Sequence, residues 1–347
     1  MKRIQCVIRL VLVASVLTFA CSHQLSVATA QTTPLSTVRF GSVGGLTDAP
    51  LYIAEDLGYF AESGLKVERQ PMTNAPTLMT AIATGQLDVG GIAVTAGLFA
   101  AIDRDIHLRI VGDKQSLRPG FSATRAVIRA DLAKDTEEAN VRTLKDKTIA
   151  VSDKAGTHHM LLQKLLFKYG MSLSDVKIVQ LALSSMVPAL NTKAIDAAFL
   201  LEPFLSQAVH SGAVKVVSDL TEFAPQEGGI LVPMVYSEQF SENRKAADAF
   251  MVAYMRGVRI YNDAFVKDEN KDKIIDIIAR GAKLDRQVVR NAFPAGFDPN
   301  QRVSIPFLNE FQRFFVEQKY LDRTVDVSRL VDMSFADRAV KLIGRAQ

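Results

Sequence analysis

Several short segments of this chain carry groups suited to holding a small polar molecule. The richest is Ser152-Asp153-Lys154-Ala155-Gly156-Thr157-His158-His159, which joins an apolar run to a helical pattern. Gly156, Thr157 and His158 therefore stand at a helix N-terminus. Its orphan N–H groups and dipole favour a carboxylate, sulfonate or phosphate, and His158 can add a donor. Glu202-Pro203-Phe204 closes a second apolar run. Pro203 pins the backbone, Phe204 offers a ring, and Glu202 carries a charge that needs a partner once buried. That carboxylate can bond a ligand, tie two parts of the molecule together, or cap the next helix. Gly44-Gly45-Leu46-Thr47-Asp48 follows the first strand-like run. Its glycines admit close backbone approach. Thr47 and Asp48 suit a ligand or the cap of a helix with Pro50 in its first turn. Tyr52 lies one turn on and can present its ring and hydroxyl or pack in the core. Asn74 and Thr95 each follow a strand-like run, where a turn Asn and a helix-capping Thr are the ordinary alternatives.

Catalytic signatures are missing from the sequence. There is no G-x-S-x-G elbow, phosphate loop, H-E-x-x-H or dinucleotide fingerprint. His158 and His159 make a poor metal pair, because neighbours on a helix point apart. No metal and no cofactor are implied. The only cysteines are Cys6 and Cys21. Both precede the expected mature start, so a disulfide framework, a thiolate site and a cysteine nucleophile are not expected. Asp88 and Asp196 are expected to be structural.

The first thirty residues read as an export signal. Lys2 and Arg3 precede a mostly apolar run over 7–20, and Ala28-Thr29-Ala30 forms a small-x-small cleavage site. Cleavage after Ala30 would leave Gln31 first. The run is short of the about 20 residues needed to span a membrane. The rival is lipid modification at Cys21, but Thr18 stands where such sites usually have Leu. Removing Lys2, Arg3 and Arg9 lowers the formal charge from +4 to +1. No basic run interleaves with aromatics, so nucleic acid is not an expected partner. The remainder, with 48% hydrophobic and 22% charged residues overall, suits a soluble globular protein.

The elements that position these residues are announced by a phrase that occurs twice. Ala81-Ile82-Ala83-Thr84-Gly85-Gln86-Leu87-Asp88-Val89 aligns without gaps on Ala189-Leu190-Asn191-Thr192-Lys193-Ala194-Ile195-Asp196-Ala197. Each copy reads as a helix end, a turn, a buried aliphatic, an Asp and an apolar strand. The pattern predicts strands over 37–43, 66–70, 89–94 and 108–111, and then over 126–128, 148–152, 176–181, 197–200, 214–217 and 230–236. Helices are expected over 51–57, with Gly58 as a left-handed cap, and over 77–84, 98–102, 157–169, 184–192 and 204–211. Residues 131–143 read as a polar surface excursion, and 243–347 as largely helical. Alternating strands and helices predict doubly wound α/β sheets. Residues 116–121 and 227–229 read as crossings between two lobes.

Ala49-Pro50-Leu51-Tyr52-Ile53-Ala54-Glu55-Asp56-Leu57-Gly58-Tyr59-Phe60-Ala61-Glu62-Ser63-Gly64-Leu65-Lys66-Val67-Glu68, then the repeated phrase, then Glu202-Pro203-Phe204, come in a telling order. In that order they resemble the periplasmic binding proteins of ABC importers in the nitrate, sulfonate, taurine and thiamine-precursor family, from about residue 38 to about residue 265. The resemblance implies a two-lobe periplasmic-binding-protein fold (type II, Venus flytrap). Lobe 1 would take 31–120 and 228–347, with a helical C-terminal tail packed on it, and lobe 2 would take 121–227. Gly156 and Thr157 resemble that family's ligand-facing turn. The implied protein is a monomer in the periplasm, not an enzyme, that captures a small sulfonate, carboxylate or pyrimidine-like solute and delivers it to an ABC permease in the inner membrane. Alternatives are a ligand sensor for a membrane receptor and a thiamine-pyrimidine synthase-like enzyme, whose cysteine-rich iron motif is missing. The chain has no Trp. No arginine stands at an evident cleft position, which argues against an ionised oxyanion held in a guanidinium fork.

Overall fold

Short apolar strands alternate with helices as far as residue 237, and helices follow. A computed structural model of the chain describes residues 35–346, apart from positions 43, 73, 74 and 105. The expected export signal, with Cys21, Ala30 and Gln31, lies outside the described residues, and so does Asn74. The order begins β1 (Ser36–Ser42), α1 (Ala49–Asp56), α2 (Tyr59–Glu62), β2 (Leu65–Pro71), α3 (Ala75–Ala83), β3 (Val89–Gly91), α4 (Ala96–Asp103) and β4 (Leu108–Leu117). Next come β5 (Thr124–Arg129), α5 (Glu137–Thr143), β6 (Thr148–Val151), α6 (Thr157–Lys168), β7 (Lys177–Gln180), α7 (Leu183–Asn191), β8 (Ala197–Leu201), α8 (Phe204–His210) and β9 (Val214–Ser218). The chain returns through β10 (Gly229–Ser237) and ends in α9 (Glu238–Glu242), α10 (Arg244–Val266), α11 (Lys271–Ala282), α12 (Arg286–Asn291), α13 (Ile305–Glu317) and α14 (Ser334–Ile343).

Two five-stranded sheets share one plan. The first runs β2-β1-β3-β10-β4 and the second β7-β6-β8-β5-β9. In the first, β1 is parallel to β2 and β3, while β10 is antiparallel to β3 and β4. In the second, β6 is parallel to β7 and β8, while β5 is antiparallel to β8 and β9. The strand after each copy of the repeated phrase, β3 or β8, holds the middle of its sheet. The repeated aspartates take matching roles. Asp88 accepts the Arg39 N–H at 2.7 Å and its guanidinium at 2.6 Å. Asp196 accepts the Thr148 N–H at 2.9 Å, with the Arg129 guanidinium 3.2 Å away. Each secures a neighbouring strand and satisfies a backbone donor that burial would otherwise penalise.

Strand β3 ends at Gly91, short of the expected residue 94, and α2 is an added helix; three departures are larger. Strand β4 does not stop at Val111 but runs to Leu117, because β10 pairs along it and buries its polar second half. The polar stretch 131–143 contains α5, started by the Thr136 hydroxyl accepting the Ala139 N–H at 3.2 Å. The tail, expected on the first lobe, meets both sheets' helices: α10 and α11 lie against α1, whereas α12 meets α8 and α13 meets α6. Helix α13 explains this with its buried aromatic residues. Phe315 lies 6.0 Å from Phe99 of α4, and Phe314 lies 5.1 Å from His159 of α6. One apolar core therefore runs from Ile82 and Leu98 through α13 to Leu162 and Phe199.

A second core lies between the first sheet and α1, α10, α11 and α14, and a third under α7 and α8. In the second, α10 approaches α1 so closely that a Cβ on Gly257 would stand 2.2 Å from the Pro50 carbonyl oxygen. Overpacking of this kind costs about 1–3 kcal/mol, against about 1 kcal/mol that Ala gains over Gly as a helix former. Gly257→Ala is therefore expected to lower the urea midpoint. A midpoint equal to or above that of the parent would show that these helices part without cost.

Candidate functional site

Parallel strands end on one side of each sheet, and the loops that follow them lead into helix N-termini. In the first lobe, Ser42 ends β1, and Gly44 and Gly45 follow with φ of 79° and 85°. Two successive residues in that region favour glycine. The Gly44 N–H donates to the Ser42 hydroxyl at 2.9 Å, and that hydroxyl donates to Asp48. Asp48 is fully buried and faces the Lys114 ammonium of β4 at 2.6 Å. The same ammonium donates to the Thr47 carbonyl at 3.2 Å and hydroxyl at 3.3 Å. Thr47 and Asp48 thus build the loop through a lysine that the sequence reading did not single out. Tyr52 is a core residue: its ring lies against Gly281 of α11, with the Arg69 guanidinium 4.9 Å from its centroid. Burial pushes its hydroxyl pKa up.

Thr95 and Gly156 come together. They form an antiparallel backbone bridge, and the neighbouring Ala96 N–H donates to the Ala155 carbonyl at 2.9 Å. The start of α4 in the first lobe thus touches the start of α6 in the second. The Thr95 hydroxyl also accepts the Leu98 N–H at 3.3 Å, so it caps α4 as well. Thr157 is half-buried as the first residue of α6. His158 is buried, 3.0 Å from the Ser152 hydroxyl and tilted against Phe199. Burial holds its pKa down at about 4, so it is neutral at physiological pH and brings a hydrogen bond, not a charge. His159 turns the other way and donates from Nδ1 to the Lys154 carbonyl at 2.7 Å.

Glu202 does two of the three things its position allows. It caps α8, accepting the Ser206 hydroxyl at 2.7 Å and the Ser206 N–H at 3.3 Å. It also accepts the Phe293 N–H at 2.9 Å, which ties the second lobe to the segment between α12 and α13. Burial raises its pKa; the hydrogen bonds from Ser206 and Phe293, and after them the Arg125 charge, only partly offset this. Phe204 is half-buried where α8 opens. Phe293 and Pro294 meet Leu46 and Ala49 around a void of about 10 Å³, so this segment also reaches the Gly44–Asp48 loop. A hollow of about 310 Å³ lies apart from these residues, between α13 and Thr324, Val325, Asp326 and Val327.

Arg125 escaped the sequence reading, which saw no arginine at the cleft. It is the second residue of β5 and pairs with Leu200, two residues before Glu202. Its guanidinium lies 4.0 Å from the Phe293 ring centroid. Sequence patterning points to residues that follow strands, and Arg125 stands near the start of one. Because β5 is antiparallel to β8, its first residues lie at the edge where β8 ends. Among the described residues, no group of three or more His, Cys, Asp or Glu side chains could hold a metal ion. No described helix is long and apolar enough to cross a membrane.

The fold is that of known solute-binding proteins. The alkanesulfonate-binding protein SsuA from Xanthomonas axonopodis pv. citri, bound to MOPS, superposes with a TM-score of 0.65 at 20% identity, covering 87% of this chain and 99% of that one. The periplasmic nitrate-binding protein NrtA from Synechocystis PCC 6803 gives 0.68 at 19% identity, covering 89% of each chain. The desulfurization enzyme DSZB shares the fold more distantly, with a TM-score of 0.63 at 13% identity, covering 89% of this chain and 99% of that one. In sequence, a putative aliphatic sulfonates-binding protein of Bacillus subtilis (strain 168) is 26% identical over 319 residues, 88% of this chain and 89% of the relative. A family model described as the NMT1-like family matches residues 31–279, and the chain belongs to that family.

Proposed function

We propose that this protein is an extracytoplasmic solute-binding protein that holds a small organic solute (a sulfonate, a carboxylate or a pyrimidine-like molecule) between its lobes and delivers it to an ABC importer. One observation carries the reading: two sheets of identical plan bring the helix N-termini after β3 and β6 into contact at Thr95 and Gly156. The Ala96 N–H is given to Ala155 at that contact, so a ligand seated beside it would meet other groups of both lobes, and would shift the population toward the closed form. The ligand face in this reading comprises Thr95, Gly156, Thr157, His158 and the Glu202–Phe204 turn, with Asn74 as a further member. Thr47 and Asp48 support it from within their loop.

The remaining parts of the reading rest on sequence. Lobe 1 takes 31–120 and 228–347, and lobe 2 takes 121–227. Residues 1–30 direct export to the periplasm and are removed after Ala30, and the mature protein works as a monomer beside an inner-membrane permease. Binding without catalysis is favoured over the chemistry of the DSZB neighbour. The only cysteines, Cys6 and Cys21, precede Gln31, so a mature chain cut there offers no thiol nucleophile.

A thermal-shift screen of alkanesulfonates, carboxylates, nitrate and pyrimidines tests this. A ligand at 100 times its dissociation constant is expected to add about 2.7 kcal/mol to stability and to raise the melting temperature visibly. A chain whose melting is unmoved by every member of the panel at millimolar concentration would not be a binding protein for these solutes.

A further inference from the structure

We infer that Arg125 is the anion-holding side chain of the interlobe site, and that its ligand carries an ionised oxyanion headgroup. This rests on the binding-protein reading and narrows its ligand.

Arginines that are half-buried elsewhere in this molecule are neutralised or saturated by the protein. Arg39 is held by Asp88, and Arg129 by Asp131 and Asp196. Arg118 is held by Asp298, and Arg259 by the carbonyls of Pro299, Ile343 and Gly344. Arg125 differs. Its Nε is sealed from solvent with no hydrogen-bond partner, the only arginine nitrogen in that condition among the described residues. The two acids whose charges reach it are already engaged. Asp219 accepts the Thr221 N–H at 3.0 Å and its hydroxyl at 2.8 Å. Glu202 accepts Ser206 and Phe293. A buried donor without an acceptor costs its full desolvation. Burial lowers the guanidinium pKa, and the charges of Asp219 and Glu202 oppose this.

The surroundings say what would meet it. Phe293 stacks on one face of the guanidinium at 4.0 Å, which leaves the edges of the fork for a ligand. A planar fork of N–H donors matches two oxygens of one oxyanion. Arg125 stands at the edge where β8 gives way to Glu202, in the second lobe, whereas Phe293 lies in the segment that meets Leu46 and Ala49 of the first. An anion on the fork is therefore placed where the lobes meet. A neutral pyrimidine would leave the charge unmatched.

Calorimetric titration with ethanesulfonate, butanesulfonate and MOPS, with uncharged 1-butanol and cytosine as controls, tests the assignment on the parent chain, Arg125→Gln and Arg125→Lys. The parent is expected to bind at least one sulfonate and neither control. Arg125→Gln should weaken that binding by about 10- to 150-fold, the range of a charge-assisted hydrogen bond, and Arg125→Lys should fall between. Without added anion, Arg125→Gln should melt no lower than the parent, since it removes a sealed Nε that has no acceptor. Unchanged sulfonate affinity in Arg125→Gln, or a parent that binds cytosine and no sulfonate, would overturn the Arg125 assignment and leave the binding-protein reading standing. A parent that binds none of the probes, nor any member of the wider screen, would remove both.

Discussion

Lys114→Met should destabilise the protein by about 3–5 kcal/mol, the cost of stripping one partner from a buried ion pair. Asp48 is fully buried and the Lys114 side chain is 4% exposed. The ammonium faces Asp48 at 2.6 Å and the Thr47 carbonyl and hydroxyl at 3.2 and 3.3 Å, so each of its three N–H groups has an acceptor close by. Methionine keeps most of the stem that runs beside Gly91, where a Cβ would stand 1.9 Å from the lysine Cδ. The loss is therefore mainly electrostatic: an Asp48 carboxylate left in the interior with the Ser42 hydroxyl as its hydrogen-bond donor. The double variant Asp48→Asn with Lys114→Met should recover part of the loss, since replacing both charges removes the stranded one. Urea unfolding at neutral pH measures both. A loss under about 1 kcal/mol for the single variant, or a double variant no better than it, would show that water reaches the pair.

The second large effect is a pH dependence. Asp113 is buried on β4, where its Oδ2 accepts the Ser116 hydroxyl at 2.7 Å and the Asp298 N–H at 2.6 Å, while Oδ1 has no hydrogen-bond partner. Burial pushes its carboxyl pKa from 3.8 up to about 7. Repulsion from Asp298 adds to the rise, while the two hydrogen bonds and Arg118 oppose it. The folded state thus holds this proton more tightly than the unfolded chain does. The stability it contributes is fully present below about pH 4 and is lost as the pH rises through about 7. At about 1.4 kcal/mol per pH unit the full span is about 4 kcal/mol. Asp113→Asn carries no titrating proton. Between pH 5 and pH 7 the parent should therefore lose about 2–3 kcal/mol relative to this variant. Denaturation of both proteins at several pH values measures the difference. Parallel profiles would mean that Asp113 is ionised throughout the range.

Local sequence carried much of the architecture. A helix end, a turn, an aliphatic and an Asp before an apolar strand are short-range signals. Their repetition marked β3 and β8, which hold the middle of two matching sheets. Gly58 was legible as a left-handed position for the same reason, and its φ is 77°. The segments around Thr95 and Gly156 could be read as helix starts from their neighbours alone, because orphan N–H groups follow from where a helix begins.

What only the tertiary structure decided depends on strand direction and on distant partners. Whether the first or the last residue of a strand faces the cleft is set by the strand it pairs with. That Arg125 stands beside the end of β8 cannot be seen until β5 is known to run antiparallel to it. Glu202 could be seen to need a partner, but Phe293 lies 91 residues away and reaches it through the segment after α12. Asp48 looked available to a ligand until β4 delivered Lys114 from 66 residues downstream. Tyr52 could face a cleft or a core until α11 covered it at Gly281. In each case the local pattern set the backbone conformation and the chemistry on offer. Burial by a distant element then decided whether that chemistry was consumed within the fold or left for a ligand.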